Sequence, residues 1–333
     1  MFDFLILIIT LIFFLLIEKE IVRFNFFPID KPDRIKKIHL KPTSLSGGIF
    51  ICTYTILILI FFYLFKLENI DYLKTIILLS FFSFCVGFYD DKFFLKPIYK
   101  LIINGLIIFF FIKNFSFLNI DNINSIILKK NILIGFYSYF FTTLCFLLLI
   151  NAFNMTDGIN SLSVGITIIW LLMIIYFFNP LYIKIIIYLI LFLIYIFYKI
   201  YRARFFLGDS GTHFLSTFVG CILIYEYNIK PSEIYIEQIF IILMIPGIDM
   251  LRLFVYRIYN KKNPLAGDRN HFHHILDRRF GLKKTLIIYY LIMIMPVLIL
   301  EIFKVDFLSV IVFTIFLYFG LLYISLIKSF KST

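Results

Sequence analysis

TIILLSFFSFCVGFYDDK, residues Thr75 to Lys92, decides how this chain folds. Thr75 to Tyr89 are almost all apolar, and the run then stops on two adjacent carboxylates, Asp90 and Asp91. A bilayer-spanning helix needs about 20 apolar residues, with a range of about 17–25, so this run with its flanks is long enough to cross. Ionisable groups at membrane depth are costly and are functional by default. Two of them side by side at the end of a span raise the question of what else faces the same way.

The rest of the chain repeats the pattern. Of its 333 residues 62% are apolar, 45 are Phe and only 16% are charged, against about 45–50% apolar in average proteins. The bilayer is therefore the solvent. Eleven candidate spans follow: 2–17, 48–66, 74–89, 97–113, 133–153, 161–178, 181–199, 210–226, 236–256, 285–302 and 306–327. The first has no basic leader and no small-residue cleavage site, and reads as a retained span rather than a signal peptide. In lipid every backbone polar group needs an internal partner, and runs this long and uniform are helices rather than barrel strands. The expectation is an all-α polytopic membrane protein of ten to eleven transmembrane helices, one domain over 1–333. Residues 114–132 are too polar to span and predict a short extracytoplasmic hairpin.

Lys and Arg set the orientation. With the N-terminus outside, the inner loops are 18–47, 90–96, 154–160, 200–209 and 257–284, with the C-terminal tail also inside. The outer side then keeps Lys66, Lys74, Lys113, Lys129, Lys130, Lys184, Lys230 and Lys304, leaving 24 of the 32 basic residues inside. The same bias accounts for the net charge of +12 without nucleic acid as a partner. The four cysteines, Cys52, Cys85, Cys145 and Cys221, lie in apolar runs with no metal or redox spacing and read as packing residues.

Nearly all unusual polar residues fall in the inner loops. They are DKPDRIKKIHLKPTSLSGG (Asp30–Gly48), the Asp90-Asp91 pair, NAFNMTDGINSL (Asn151–Leu162), FFLGDSGT (Phe205–Thr212), PGIDMLRL (Pro246–Leu253) and NPLAGDRNHFHHIL (Asn263–Leu276). Acids at the ends of different helices on one face can meet in one cleft. Asp90, Asp91, Asp157 and Asp209 together would repel one another unless a cation sat among them. Hard carboxylate ligands suit Mg²⁺ or Mn²⁺, and Mg²⁺ takes one or two carboxylates plus substrate phosphates.

These motifs, in this order, resemble the polyprenyl-phosphate N-acetylhexosamine-1-phosphate transferases. The residues that carry the resemblance run from Asp30 to His274. They are Asp30, Pro32, Arg34, Lys37 and His39 before Gly47-Gly48, then Asp90-Asp91 followed by Lys100. Next come Asn154, Asp157 and Gly158, then Gly208-Asp209-Ser210-Gly211, and last His271, His273 and His274 after Asp268-Arg269. The H-x-H-H pattern resembles the antigen and teichoic-acid branch, where the peptidoglycan translocase would carry three consecutive histidines. The resemblance implies a cytoplasmic-membrane enzyme with its active site facing the cytoplasm, usually a homodimer, using Mg²⁺, a UDP-amino sugar and undecaprenyl phosphate. Its product would be a polyprenyl-diphosphate sugar, with UMP leaving, as the first step of a lipid-linked surface glycan.

On that resemblance Asp209 is the first metal ligand, with Asp90 or Asp91 second. Lys100 or Lys37 would hold the lipid phosphate, and His39 belongs to the same basic motif. A phosphomonoester, with a second pKa of about 6, is largely dianionic at neutral pH, so positioning can replace a general base. Asn154 and Asp157 would line the nucleotide site, and Phe206 would stack on uracil. His271, His273 and His274 would bond the diphosphate or sugar, with Arg269 adding charge. Asn160-Ser161 stand where Asp-Gly is usual, and His213 is also a departure. Both bear on donor identity, whether GlcNAc, GalNAc, QuiNAc or FucNAc.

Plainer readings stand beside these. Gly47-Gly48 reads first as a turn before a helix, Lys36-Lys37 as a topology signal, and Asp249 equally as helix-end packing or catalytic support. Three histidines in four residues invite zinc, but they lack the i,i+4 spacing of a helical zinc pair. The rival class is a multi-span transporter of an anionic substrate, which would place its acids near the bilayer midplane.

Overall fold

The computed structural model describes residues 10–12, 14–16, 27–30, 42–65, 71–264 and 268–327. Most of the expected span 2–17 lies outside these residues, as do Pro32, Arg34, Lys37 and His39. Ten helices are described in full: α1 (Gly47–Leu64), α2 (Asp71–Phe93), α3 (Pro97–Asn114), α4 (Ser138–Asn154), α5 (Leu162–Phe178), α6 (Ile183–Tyr201), α7 (Gly208–Ile229), α8 (Ile236–Tyr259), α9 (Phe272–Phe303) and α10 (Phe307–Ile327). Each overlaps an expected span. Among the described residues, eight helices are long and apolar enough to cross a membrane, and α5 is a shorter apolar helix. The chain is an all-α polytopic membrane protein.

Helix α7 is the exception, and its position explains why. It packs along α2 and also against α1, α4 and α5. Every residue from Ser210 to Tyr227 is buried, including Thr212, His213, Ser216, Thr217 and Glu226. A helix that meets protein on all sides needs no apolar skin. Other helices do the opposite, turning Leu64, Phe110, Leu251, Phe316 and Tyr323 outward. In water such a surface would be an aggregation liability; around a bundle of spans it is the lipid-facing surface.

Two glycines set how closely α7 is approached. A Cβ on Gly87 of α2 would lie 2.3 Å from the Asp209 carbonyl oxygen, and one on Gly48 of α1 would lie 2.3 Å from the Gly211 nitrogen. The Gly47 and Gly48 N–H groups donate to the Phe206 and Leu207 carbonyls at 3.0 Å each. Gly47-Gly48 thus starts α1 and binds it to the segment that leads into α7. The short pairing of β1 (Ile29–Asp30) with β2 (Thr43–Ser44) feeds the same junction, because Phe206 N–H donates to the Ser44 carbonyl at 2.8 Å.

At the far end of α7, about 33 Å away for 22 residues at 1.5 Å each, lies the expected hairpin. Strand β3 (Asn122–Ser125) pairs antiparallel with β4 (Lys130–Leu133). Glu237, buried at the start of α8, holds the turn by accepting from the Ser125 hydroxyl and from the N–H groups of Ile126 and Ile127. The Tyr227 hydroxyl at the end of α7 accepts from Asn124 N–H and donates to the Asn122 carbonyl.

Helix α9 differs from the expected span 285–302. It starts thirteen residues earlier, on the histidine motif, and breaks at Gly281, whose φ of 74° is left-handed. Asp277, Arg278, Arg279, Lys283 and Lys284 surround that break. The first segment is charged, so counting apolar residues does not find it. Cys85 is also exposed rather than packed, unlike buried Cys52 and Cys221.

Candidate active site

Asp90 ends α2. Its Oδ1 accepts the Leu95 N–H at 2.5 Å, which turns the chain toward Pro97 at the start of α3. Lys100 then lies one turn into α3. Its ammonium donates to Asp90 Oδ2 at 2.7 Å and to Asp209 Oδ2 at 2.8 Å. The same Asp209 oxygen accepts from the Asn154 amide at 3.2 Å, so the end of α4 joins the group. Two consecutive helices and a third more than 100 residues on thus bring two carboxylates onto one cationic position. The Lys100 and Asp90 side chains keep 20% and 11% exposure, and Asp209 keeps 26%, so the cluster is sheltered but reachable.

Asp91 does something else. Its Oδ1 accepts the Asp209 N–H at 2.8 Å and its Oδ2 the Ser210 N–H at 3.0 Å. Asp157, in the loop after α4, faces the Gly208 N–H. The first N–H groups of a helix have no partner within it, and they carry its positive dipole end. Here Asp91 satisfies two of them, and the Asp157 carboxylate faces a third. Gly208 makes this possible: its φ is +77°, and a Cβ there would lie 2.7 Å from Asp91 Oδ2. Burial pushes the Asp157 carboxyl up to about 7, against a bond from Ser163, and the Asp209 charge pushes the same way.

The next residue along links this cluster to the histidine motif. A Cβ on Gly158 would lie 2.3 Å from His273 Nε2 and 2.6 Å from His274 Nε2. His273 is fully buried and neither ring nitrogen has a partner. His271 is held from below. Asp249 of α8 accepts from the Phe272 N–H at 3.2 Å and sits 3.3 Å from His271 Nδ1. It also accepts from the Tyr318 hydroxyl at 2.6 Å and the Arg252 guanidinium at 2.8 Å. Arg252 reaches on to the Asn270 carbonyl at 2.6 Å. Asp268 binds Arg257 at 2.9 Å, and its carboxyl lies below the usual range: burial opposes this, while bonds from Arg257 and the Asn270 N–H outweigh it.

Of the residues named from sequence, Asp90, Lys100, Asn154 and Asp209 meet directly. Asp91 and Asp157 meet them through the start of α7, and His273 and His274 through Gly158. Phe206 packs against the apolar core at the entry to α7. Arg269 and Asn160 are half-buried on the flanking loops. Lys37 and His39 lie outside the described residues. Three contributors went unranked: Asn104 beneath Lys100, and Arg252 and Tyr318 around Asp249. An acid inside an apolar helix was the available signal for Asp249. Tyr318, 69 residues away, gave none. Among the described residues no group of three or more His, Cys, Asp and Glu side chains is placed to hold a metal ion. A cavity of about 330 Å³ opens beside the hairpin, lined by Asn124, Lys129, Lys130 and Tyr235, at the other end of α7. No acids converge there.

Residues 73–226 match the family described as Glycosyl transferase family 4. The chain is 27% identical over 262 residues to the undecaprenyl-phosphate alpha-N-acetylglucosaminyl 1-phosphate transferase of Thermotoga maritima, covering 78% of this chain and 76% of that protein. It is 26% identical over 220 residues to the Bacillus subtilis protein named "Probable undecaprenyl-phosphate N-acetylglucosaminyl 1-phosphate transferase", covering 64% and 61%. It is 25% identical over 205 residues to the undecaprenyl-phosphate alpha-N-acetylglucosaminyl 1-phosphate transferase of Escherichia coli K12, covering 58% and 55%. The chain therefore spans less than two thirds of the length of the last two.

Proposed function

We propose that this chain, whose residues 73–226 match glycosyl transferase family 4, transfers an N-acetylhexosamine 1-phosphate, GlcNAc-1-phosphate first among them, from a UDP-sugar to undecaprenyl phosphate. UMP leaves, and a lipid-linked sugar diphosphate is the product. The supporting observation is the Lys100 ammonium shared by Asp90 and Asp209, contiguous through Asp157 and Gly158 with the histidine motif. The H-x-H-H pattern favours the antigen and teichoic-acid branch. The excess of Lys and Arg on the loops at this end favours a site facing the cytoplasm, at the inner membrane.

Phosphoryl transfer is mostly positioning and charge stabilisation. The lipid phosphate already carries its charge at neutral pH, so the chain's task is to hold it in line with the β-phosphorus. Lys100 is the cation at hand for this. Swinging toward the lipid phosphate would release Asp90 and Asp209, and those two carboxylates fit a hard divalent cation that takes its other ligands from substrate phosphates. Such an ion, Mg²⁺ by preference, would neutralise charge on the diphosphate. Asp91 and Asp157 are assigned to fixing α7, which carries Asp209. That differs from the sequence reading for Asp91, because both of its oxygens are engaged with backbone N–H groups. Neutral His273 and His274 would bond the diphosphate or sugar, and Asp249 would set their turn.

A transporter is not favoured, since the acids gather at one end of the bundle. The test is UMP release by purified protein with undecaprenyl phosphate, Mg²⁺ and a panel of UDP-sugars. Acceptor-dependent release with one donor supports the reading, and release suppressed by EDTA supports the cation. No release from any donor overturns it.

A further inference from the structure

Beneath the acid cluster lies a second polar layer, which the reading above does not use. His213 stands on α7 one turn after Asp209, and Asn104 on α3 one turn after Lys100. Both are 2% exposed. The Asn104 amide donates to the Lys100 backbone carbonyl at 3.0 Å and lies 3.4 Å from His213 Nδ1. The His213 ring also faces the backbone carbonyl of Ser83 on α2.

These contacts fix one another. A carbonyl can only accept, so the Asn104 nitrogen, not its oxygen, faces that of Lys100. The same nitrogen then offers its other hydrogen to His213 Nδ1, which must be the bare ring nitrogen. In the neutral ring the proton then sits on the other nitrogen, on the side of the Ser83 carbonyl. One neutral tautomer serves the whole arrangement. The Asn104 Oδ1 is left buried without a partner, a cost the packing carries for this orientation. A leucine would fill the space but could not join α7 to α3 through a polar contact. The sequence marks the position too, since His213 departs from the family pattern.

We infer that His213 is a positioning residue for Lys100. Through Asn104 it fixes the turn of α3 that holds the Lys100 ammonium between Asp90 and Asp209. The link to catalysis rests on the proposed function; the link to Lys100 does not.

The experiment uses the full-length protein in detergent micelles, labelled briefly with an amine-reactive acylating reagent and read by mass spectrometry. Lys100 is sheltered, whereas Lys92 and Lys96 on the same junction are exposed. In His213→Leu and Asn104→Leu, Lys100 labelling should rise about threefold or more as the local opening grows. Lys92 and Lys96 should not change. His213→Gln, which can still accept and donate, should label like the wild type. Unchanged Lys100 labelling in both leucine variants overturns the inference, and so does an equal rise at all three lysines, which would mean general loosening. A kinetic arm separates positioning from packing. His213→Leu should lower kcat on the order of tenfold, as a small misplacement of a reacting group does, with the donor KM unchanged. Placed in a Lys100→Arg background it should cost nothing further; a full additional loss would contradict action through Lys100. If the wild type releases no UMP, the functional reading fails, and the labelling arm still decides this one.

Discussion

Asp90 and Asp91 occupy adjacent positions on the last turn of α2 and face different partners. Asp90 shares the Lys100 ammonium with Asp209, while Asp91 spends both oxygens on the backbone that begins α7. The two should fail differently. Asp91→Asn puts an amide hydrogen against a backbone N–H at a helix start. It should cost about 1–2 kcal/mol, the scale of a lost cap, seen as a lower unfolding midpoint; an unchanged midpoint would remove the capping role. Asp209→Asn keeps the shape but halves the charge pair around Lys100. Turnover should fall about 10²–10³-fold, as for other groups that stabilise developing charge, while the circular-dichroism spectrum stays that of the wild type. The importance of this Asp pair was legible because two acids ending an apolar run demand an explanation. The division of labour was not, since Asp91 acts on residues 118 and 119 positions away.

At the scale of elements, the junction of α2 with α7 carries the site. Gly87 lets the two backbones touch, and it sits one turn before Asp91. Gly87→Ala would drive a methyl into the Asp209 carbonyl. The displacement should cost on the order of 1–3 kcal/mol, typical of overpacking, and should reduce turnover although no reacting group is changed. Near-normal stability and activity together would show that the contact is not tight. On the other flank, Tyr318→Phe removes one hydrogen bond to Asp249, worth about 1 kcal/mol, and should lower kcat through a looser histidine turn. Apolar length made nearly every helix legible. It could not show that α9 begins at Phe272, because the first turns carry Asp277, Arg278 and Arg279. Nor could it show that α7 never meets lipid, because burial on all sides is a property of the assembled bundle.

The whole molecule keeps its two ends chemically separate. Polar chemistry gathers where α2 and α8 end and α3, α7 and α9 begin, and the hairpin closes the opposite end about 33 Å away by the helix rise. The distribution of Lys and Arg suggested this before any contact was known, since one end collected both the positive loops and the motifs. The order of motifs was likewise readable, whereas their meeting through Gly158 and Asn154 required the fold. The most direct test is the lipid product itself. Purified wild type and Asp209→Asn are incubated with undecaprenyl phosphate and UDP-GlcNAc, and the lipid fraction is read by mass spectrometry. The account predicts an undecaprenyl-diphosphate-linked amino sugar from the wild type and at most a trace from Asp209→Asn. Equal amounts of that product from both proteins would contradict it.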